Sequence, residues 1–164
     1  MLSKLDPTEI AGTAHGIVKI QHLPMVSLRL VREKTVPYEF EPLTNSSRVF
    51  DLFRPLAEDL DRETVWVACL DTKNRCVCLS QVAIGSLDSA VVHPREVLKI
   101  VLMANASAVI LVHNHPSGDP APSKEDHAMT GRIRDAAKTL GIRFLDHVIV
   151  GHGAFYSFCD QGQL

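Results

Sequence analysis

His113 and His115 stand one residue apart, and after a further seven residues come Ser123 and then Asp126, in the stretch HNHPSGDPAPSKED. Imidazoles and carboxylates are the donors of hydrolytic zinc sites, in which three protein ligands leave the fourth tetrahedral position to water. Residues i and i+2 of a strand share a face. If the apolar run Ala106–Val112 is a strand, the two histidines therefore leave its end side by side. The intervening loop, with three prolines and a glycine, brings the chain back. Ser123 with Asp126 then reads as a helix start that sets a carboxylate opposite the imidazoles. His113, His115 and Asp126 are thus the candidate ligands of one catalytic Zn2+, although the same donors would suit iron or manganese. The plainer alternative is that Ser123–Asp126 is only a helix cap, with Asp126 complementing the helix dipole, and that the histidines lie in a solvated loop.

Alternating helices and strands must position these residues. Asn45-Ser46-Ser47 predicts a cap for a helix over Arg48–Leu60, with Val49, Phe50, Phe53, Leu56 and Leu60 at helical spacing. Thr64–Leu70 and Arg75–Ile84 read as a hairpin about the turn Asp71–Asn74. Gly85–Ala90 reads as a loop, and Pro94 as the first turn of a helix to about Asn105 with Val97, Leu98, Val101 and Leu102 buried. Ala106–Val112 is apolar throughout and reads as a central strand covered on both faces. Lys124–Leu140 is expected to be a helix with Met129, Ile133, Ala136, Ala137 and Leu140 toward the core, stopped by Gly141. Ile142–Val150 and Ala154–Phe158 form a last hairpin. Asp146 and His147 break its apolar pattern, either as a satisfied polar pair under the sheet or as an outer partner of a ligating histidine. Residues 1–45 say least. A short helix follows Asp6-Pro7, and Val26–Val36 alternates in part, as an edge strand would, with Arg29, Arg32 and Lys34 on a solvated face.

The 164 residues, 46% hydrophobic and 22% charged, suffice for one domain with a sizeable core, and the fold class they imply is α/β. A net charge of −2 gives no basic field for nucleic acid. No apolar run approaches a membrane span, and the first 30 residues lack a signal-like core, so the expected location is cytoplasmic. Cys69, Cys76, Cys78 and Cys159 lack the spacing of a zinc ribbon and read as small buried hydrophobes, Cys76 and Cys78 being the one tempting pair.

The spacing His-x-His, seven residues, Ser, two residues, Asp resembles the JAMM motif of JAB/MPN metalloenzymes with no position missing. Together with GSLDSAVVHPREV and LDTKNR, it looks more narrowly like the RadC branch of that superfamily. The resemblance covers roughly Ser46 to Leu164. It implies a JAB/MPN-like mixed sheet flanked by helices, in the layered arrangement also found in cytidine deaminases, as a domain over 46–164 behind an extension over 1–45. That extension departs from long RadC proteins, which carry a helix-hairpin-helix region, so a short form is expected.

The resemblance further implies a zinc-dependent hydrolase of amide or isopeptide bonds. Glu63 would be the general base and Ser123 the donor to the oxyanion, with zinc bringing the pKa of its water toward neutrality. Without the resemblance, Glu63 is an ordinary exposed linker acid. Glu96 of the HPRE stretch is the second candidate for the base, although a first-turn carboxylate is also explained by the helix dipole, and His93 either assists the site or bonds near the cap. The expected partner is a peptide or protein substrate, with nucleic acid by family association only, no membrane, and a homodimer left open. A non-enzymatic module of DNA repair or mobile-element DNA metabolism is the alternative. A nucleobase deaminase is set aside, because the chain lacks HxE and PCxxC elements.

Overall fold

The computed structural model describes residues 23–39, 41–85 and 92–164. Among these described residues, eight elements follow one another: α1 (Ser46–Ala57), β1 (Thr64–Leu70), β2 (Cys76–Ile84), α2 (Pro94–Met103), β3 (Ala108–Asn114), α3 (Lys124–Thr139), β4 (Arg143–Val150) and β5 (Phe155–Ser157). The strands form one mixed sheet in the order β2-β1-β3-β4-β5, antiparallel except for the parallel pair β3 and β4. This is the α/β architecture the sequence implies.

Every residue of β1 and β3 is buried, as continuous apolar runs in the middle of a covered sheet should be. One face packs on α1 through Val49, Phe50 and Phe53 against Trp66, Ile110 and Val148. The other packs on α2 and α3 through Val97, Val101, Met129 and Ile133 against Val67, Val109 and Leu111. Burying each such side chain contributes about 1.5–3 kcal/mol. The two apolar stripes thus fix where α3, which bears the candidate carboxylate, lies against β4 and α2.

Each helix starts at a cap the sequence supplies. Asn45 accepts the Arg48 N–H at 2.9 Å, His93 accepts the Arg95 N–H at 3.4 Å ahead of Pro94, and Ser123 heads a capping box with Asp126. His93 therefore sits in the capping role.

Several expectations are corrected. Val26–Val36 is not an edge strand: residues 23–39 carry no regular structure, and Val26 and Leu28 stand about three-quarters exposed. Alternation supplies a face to bury but no ladder, and no strand among the described residues pairs with this segment. Tyr38 ties its end to the sheet by accepting the Cys76 N–H at 3.2 Å. The first helix stops at Ala57 and leaves Leu60 exposed. Leu102 and Leu140 are half exposed and line an apolar groove between α2 and α3. All four cysteines are free, with Cys69 opposite Cys78 across β1 and β2, and it is Cys159, read as a buried hydrophobe, that is exposed instead. The expected helix after Asp6-Pro7 and most of the Gly85–Ala90 loop lie outside the described residues, among which no helix is long and apolar enough to cross a membrane.

Candidate metal centre

The site forms where three elements end together. Val65 of β1 lies opposite His113 of β3. The same register carried two residues outward sets Glu63 opposite His115, on the sheet face that α3 covers. His113 is the second-last residue of β3, and His115 follows its end, held by its N–H to the Val150 carbonyl at 2.9 Å. The loop then turns at Gly118, whose φ is +82° and whose carbonyl accepts the His152 N–H, and delivers Ser123 and the first turn of α3. Gly151 is needed for that closure, since a Cβ there would lie 2.3 Å from the Gly118 carbonyl oxygen.

Glu63, His113, His115 and Asp126 bring one donor atom each within 4.8 Å of all the others. The two Nε2 atoms are 3.0 Å apart. His113 Nε2 lies 3.2 Å from Asp126 Oδ1, and His115 Nε2 lies 3.5 Å from Asp126 Oδ2. Glu63 Oε1 stands 3.8 Å from both imidazoles. Ligands at tetrahedral corners with bonds of about 2.0–2.1 Å are about 3.3 Å apart, so the histidine and aspartate spacings fit a zinc-sized cation.

The hydrogen bonding fits as well. Asp126 Oδ2 accepts the Ser123 N–H at 2.7 Å and the Ser123 hydroxyl at 2.6 Å, whereas Oδ1 is the buried side-chain oxygen among the described residues that accepts no hydrogen bond. A buried acceptor left without a donor needs a cation or costs about 1–3 kcal/mol. His115 Nδ1 lies 2.8 Å from the Asp119 carbonyl, which can only accept, so its N–H points outward and Nε2 is left as the electron-pair donor. His113 Nδ1 lies 2.8 Å from His147 Nε2, and His147 Nδ1 lies 2.6 Å from Thr130 Oγ1.

Electrostatics concentrate here too. Burial raises the Asp126 pKa, but the imidazoles of His113 and His115 and the Ser123 hydroxyl outweigh it and hold the carboxyl well below the usual range. Burial alone would lower the His115 pKa; the bonds to Asp126 and Asp119 and the Asp126 and Glu63 charges raise it instead. Without metal, a proton is thus drawn to the place where a cation would sit. Burial drives the His147 pKa well below its ordinary value, and the neighbouring His113 adds to this.

A family model described as RadC-like JAB domain matches residues 43–163. The chain belongs to the RadC family. Among curated RadC relatives, a UPF0758 protein of Trichlorobacter lovleyi is 48% identical over 124 residues, covering 76% of this chain and 54% of the relative. A UPF0758 protein of Thermotoga maritima is 44% identical over 168 residues, covering 99% of this chain and 74% of the relative. A third, from Methanosarcina barkeri, is 38% identical over 151 residues, 90% of this chain and 66% of its own. The chain spans about half the length of the first of these relatives.

Of the residues singled out in the sequence, Glu63, His113, His115 and Asp126 come together in this RadC domain, and Ser123 touches the group through Asp126. Glu96 does not: it lies half exposed on α2, paired with Lys99 at 2.6 Å and Arg95 at 3.3 Å. Asp146 and His147 part company. Asp146 accepts from Ser157, from the Cys159 N–H and from the His147 N–H, whereas the His147 ring turns to His113 and stacks on Phe158 at 5.0 Å.

Two contributors escaped the sequence reading. Asn114, between the two histidines, accepts the Thr64 N–H at 2.8 Å and donates to the Arg62 carbonyl at 3.1 Å, clamping the backbone on both sides of Glu63. Thr130 donates to the Asp126 carbonyl one turn back at 2.6 Å. A polar residue alternating with two ligands and a hydroxyl four residues after the third were the available signals.

Proposed function

We propose that this chain is a zinc-dependent hydrolase of amide or isopeptide bonds in peptides or proteins. The reading rests above all on the His113, His115 and Asp126 donor atoms lying at tetrahedral spacing with the Glu63 carboxylate 3.8 Å from both imidazoles. Zinc held by His113 Nε2, His115 Nε2 and Asp126 Oδ1 would supply a water acidified toward neutrality and a Lewis acid for the scissile carbonyl. Donors without thiolate suit that hydrolytic use.

Glu63 is the proton carrier. Its carboxylate lies 3.8 Å from both imidazoles and is partly exposed, so it can take a proton from the attacking water and pass it to the departing amine. Asn114 holds the Glu63 backbone in place from the strand that bears the ligands, which fixes base and ligands to one rigid frame. Ser123 holds Asp126 by its hydroxyl and its N–H. When the hydroxyl turns away, the N–H remains on Oδ2, and the freed proton serves the oxyanion of the tetrahedral intermediate.

The test is hydrolysis of peptide and isopeptide libraries by the zinc-loaded protein beside Glu63→Gln. Loss of the general base should slow cleavage by about 10²–10⁴-fold while zinc stoichiometry stays the same. Cleavage by Glu63→Gln within threefold of the parent, or no cleavage of any library by fully loaded protein, would remove the reading.

A further inference from the structure

His113 Nδ1, His147 Nε2, His147 Nδ1, Thr130 Oγ1 and the Asp126 carbonyl oxygen form an unbroken line, with contacts of 2.8, 2.6 and 2.6 Å between successive residues. His113, His147, Asp126 and Thr130 are all buried, so water does not compete for these bonds.

The direction of every proton in this line follows from its last member. A carbonyl oxygen can only accept, so the single hydroxyl proton of Thr130 lies toward Asp126. Thr130 Oγ1 must then accept from His147, which places the His147 ring proton on Nδ1. A neutral imidazole with its proton on Nδ1 has a lone pair on Nε2, so His147 accepts at that atom. The proton between the two rings therefore belongs to His113 Nδ1, and the lone pair of His113 is left on Nε2, facing His115 and Asp126. With both rings neutral, reversing any one bond of this line would leave two protons or two lone pairs facing each other at under 3 Å, whereas the order given gathers its lone pairs only in the cluster itself, where His113 Nε2 stands 3.0 Å from His115 Nε2 and 3.2 Å from Asp126 Oδ1 and a cation would sit between them. The line also closes on itself in the fold, because it runs from one candidate ligand through β4 and α3 to the backbone of another.

We propose that Thr130 and His147 are positioning residues that fix the ring tautomer of His113, so that the threonine hydroxyl, two residues removed from the ligand atom, keeps Nε2 ready for metal. The proposal deepens the metal reading above and rests on it for its purpose, but the proton order belongs to the metal-free chain as well. His115 needs no such relay, since it reaches a carbonyl directly.

Long-range ¹H–¹⁵N spectra of the histidine rings in the metal-free full chain near pH 8 read the tautomers directly. They should show His113 and His147 both protonated at Nδ1. A His113 ring protonated at Nε2 would overturn the proposal whether or not the protein binds zinc. In the second arm, zinc affinity is measured by competition with a chromophoric chelator. Thr130→Val, which keeps the shape and removes the hydroxyl, should weaken zinc by about 10–100-fold, the usual cost of losing an outer partner of a ligand. Thr130→Ser, which restores the hydroxyl, should return to within about threefold of the parent. Thr130→Val binding as tightly as Thr130→Ser would overturn the proposal. If the parent bound no zinc, the metal reading would fall alone, and the ring spectra would still decide the relay.

Discussion

Asn114→Ala tests how the candidate base is tied to the candidate ligands. The substitution removes two hydrogen bonds, Thr64 N–H to Oδ1 at 2.8 Å and Nδ2 to the Arg62 carbonyl at 3.1 Å. Thr64 is 2% exposed, so its N–H is left without a partner out of reach of water, which costs about 1–3 kcal/mol. Arg62 is exposed and its carbonyl can be rehydrated, so that bond accounts for only about 0.5–1 kcal/mol more. The expected loss is therefore about 2–4 kcal/mol, read as a lower urea midpoint of the metal-free protein at unchanged m value. Asn114→Asp should do no better, because its second oxygen would face the Arg62 carbonyl as one acceptor against another. The supports of the metal donors, His147, Asp119 and Ser123, are untouched, so zinc affinity should stay within about threefold while hydrolysis falls by more than about tenfold. A stability loss below about 0.5 kcal/mol, an Asp variant as stable as the parent, or a collapse of zinc affinity would each refute the clamp.

Other predictions follow from contacts around the site. Gly151→Ala drives a Cβ to 2.3 Å from the Gly118 carbonyl oxygen and 2.9 Å from Pro120. The ligand loop must shift, and since His115 leans on Asp119 in that loop, zinc affinity should fall by about tenfold or more; unchanged affinity would show the loop free to yield. Metal-free stability should decline between pH 6.5 and pH 5, because the unfolded chain protonates His147 near pH 6.5 while the folded chain, with that pKa driven well below, does not. The limiting slope is about 1.4 kcal/mol per pH unit. The raised His115 contributes with opposite sign: its stabilisation is fully present below about pH 6.5 and is lost as pH rises through the raised value. The depressed Asp126 loses its contribution only in more acid solution, below about pH 3.9. Denaturation at stepped pH should give a smaller acid slope for His147→Gln than for the parent, and equal slopes would contradict the assignment.

The helices and the central strands were legible because their signals are local: Asn45 and Ser123 as caps, Pro94 at a first turn, and unbroken apolar runs for β1 and β3. The two histidines were legible for the same reason, since their i, i+2 spacing puts both rings on one face whatever the neighbours do. The course of residues 26–36 was not, because alternation is silent about whether a ladder partner exists. Nor was the fate of Leu102 and Leu140, which line the groove between α2 and α3, a matter of how two helices meet and not of either stripe alone.

The roles of Asp146 and His147 depended on one residue of register. Between β3 and β4 the pairing steps from Val109↔Phe144 to Ile110↔Asp146, skipping Leu145. That irregularity sets His147, and not Asp146, beside Leu111 on the face of His113. Sequence alternation cannot reveal a skipped residue, so the outer partner of the ligand could be suspected but not assigned. Glu63 is a similar case: it is one acid among several in its linker, so the residues alone did not mark it, the resemblance did, and the β1–β3 register sets it opposite His115.

The most direct test of a three-ligand metal centre is elemental analysis of protein purified without added metal, beside His113→Ala and Asp126→Ala. The parent should hold close to one zinc per chain, and neither variant any. A parent that holds no metal and takes up none from added zinc would contradict such a centre.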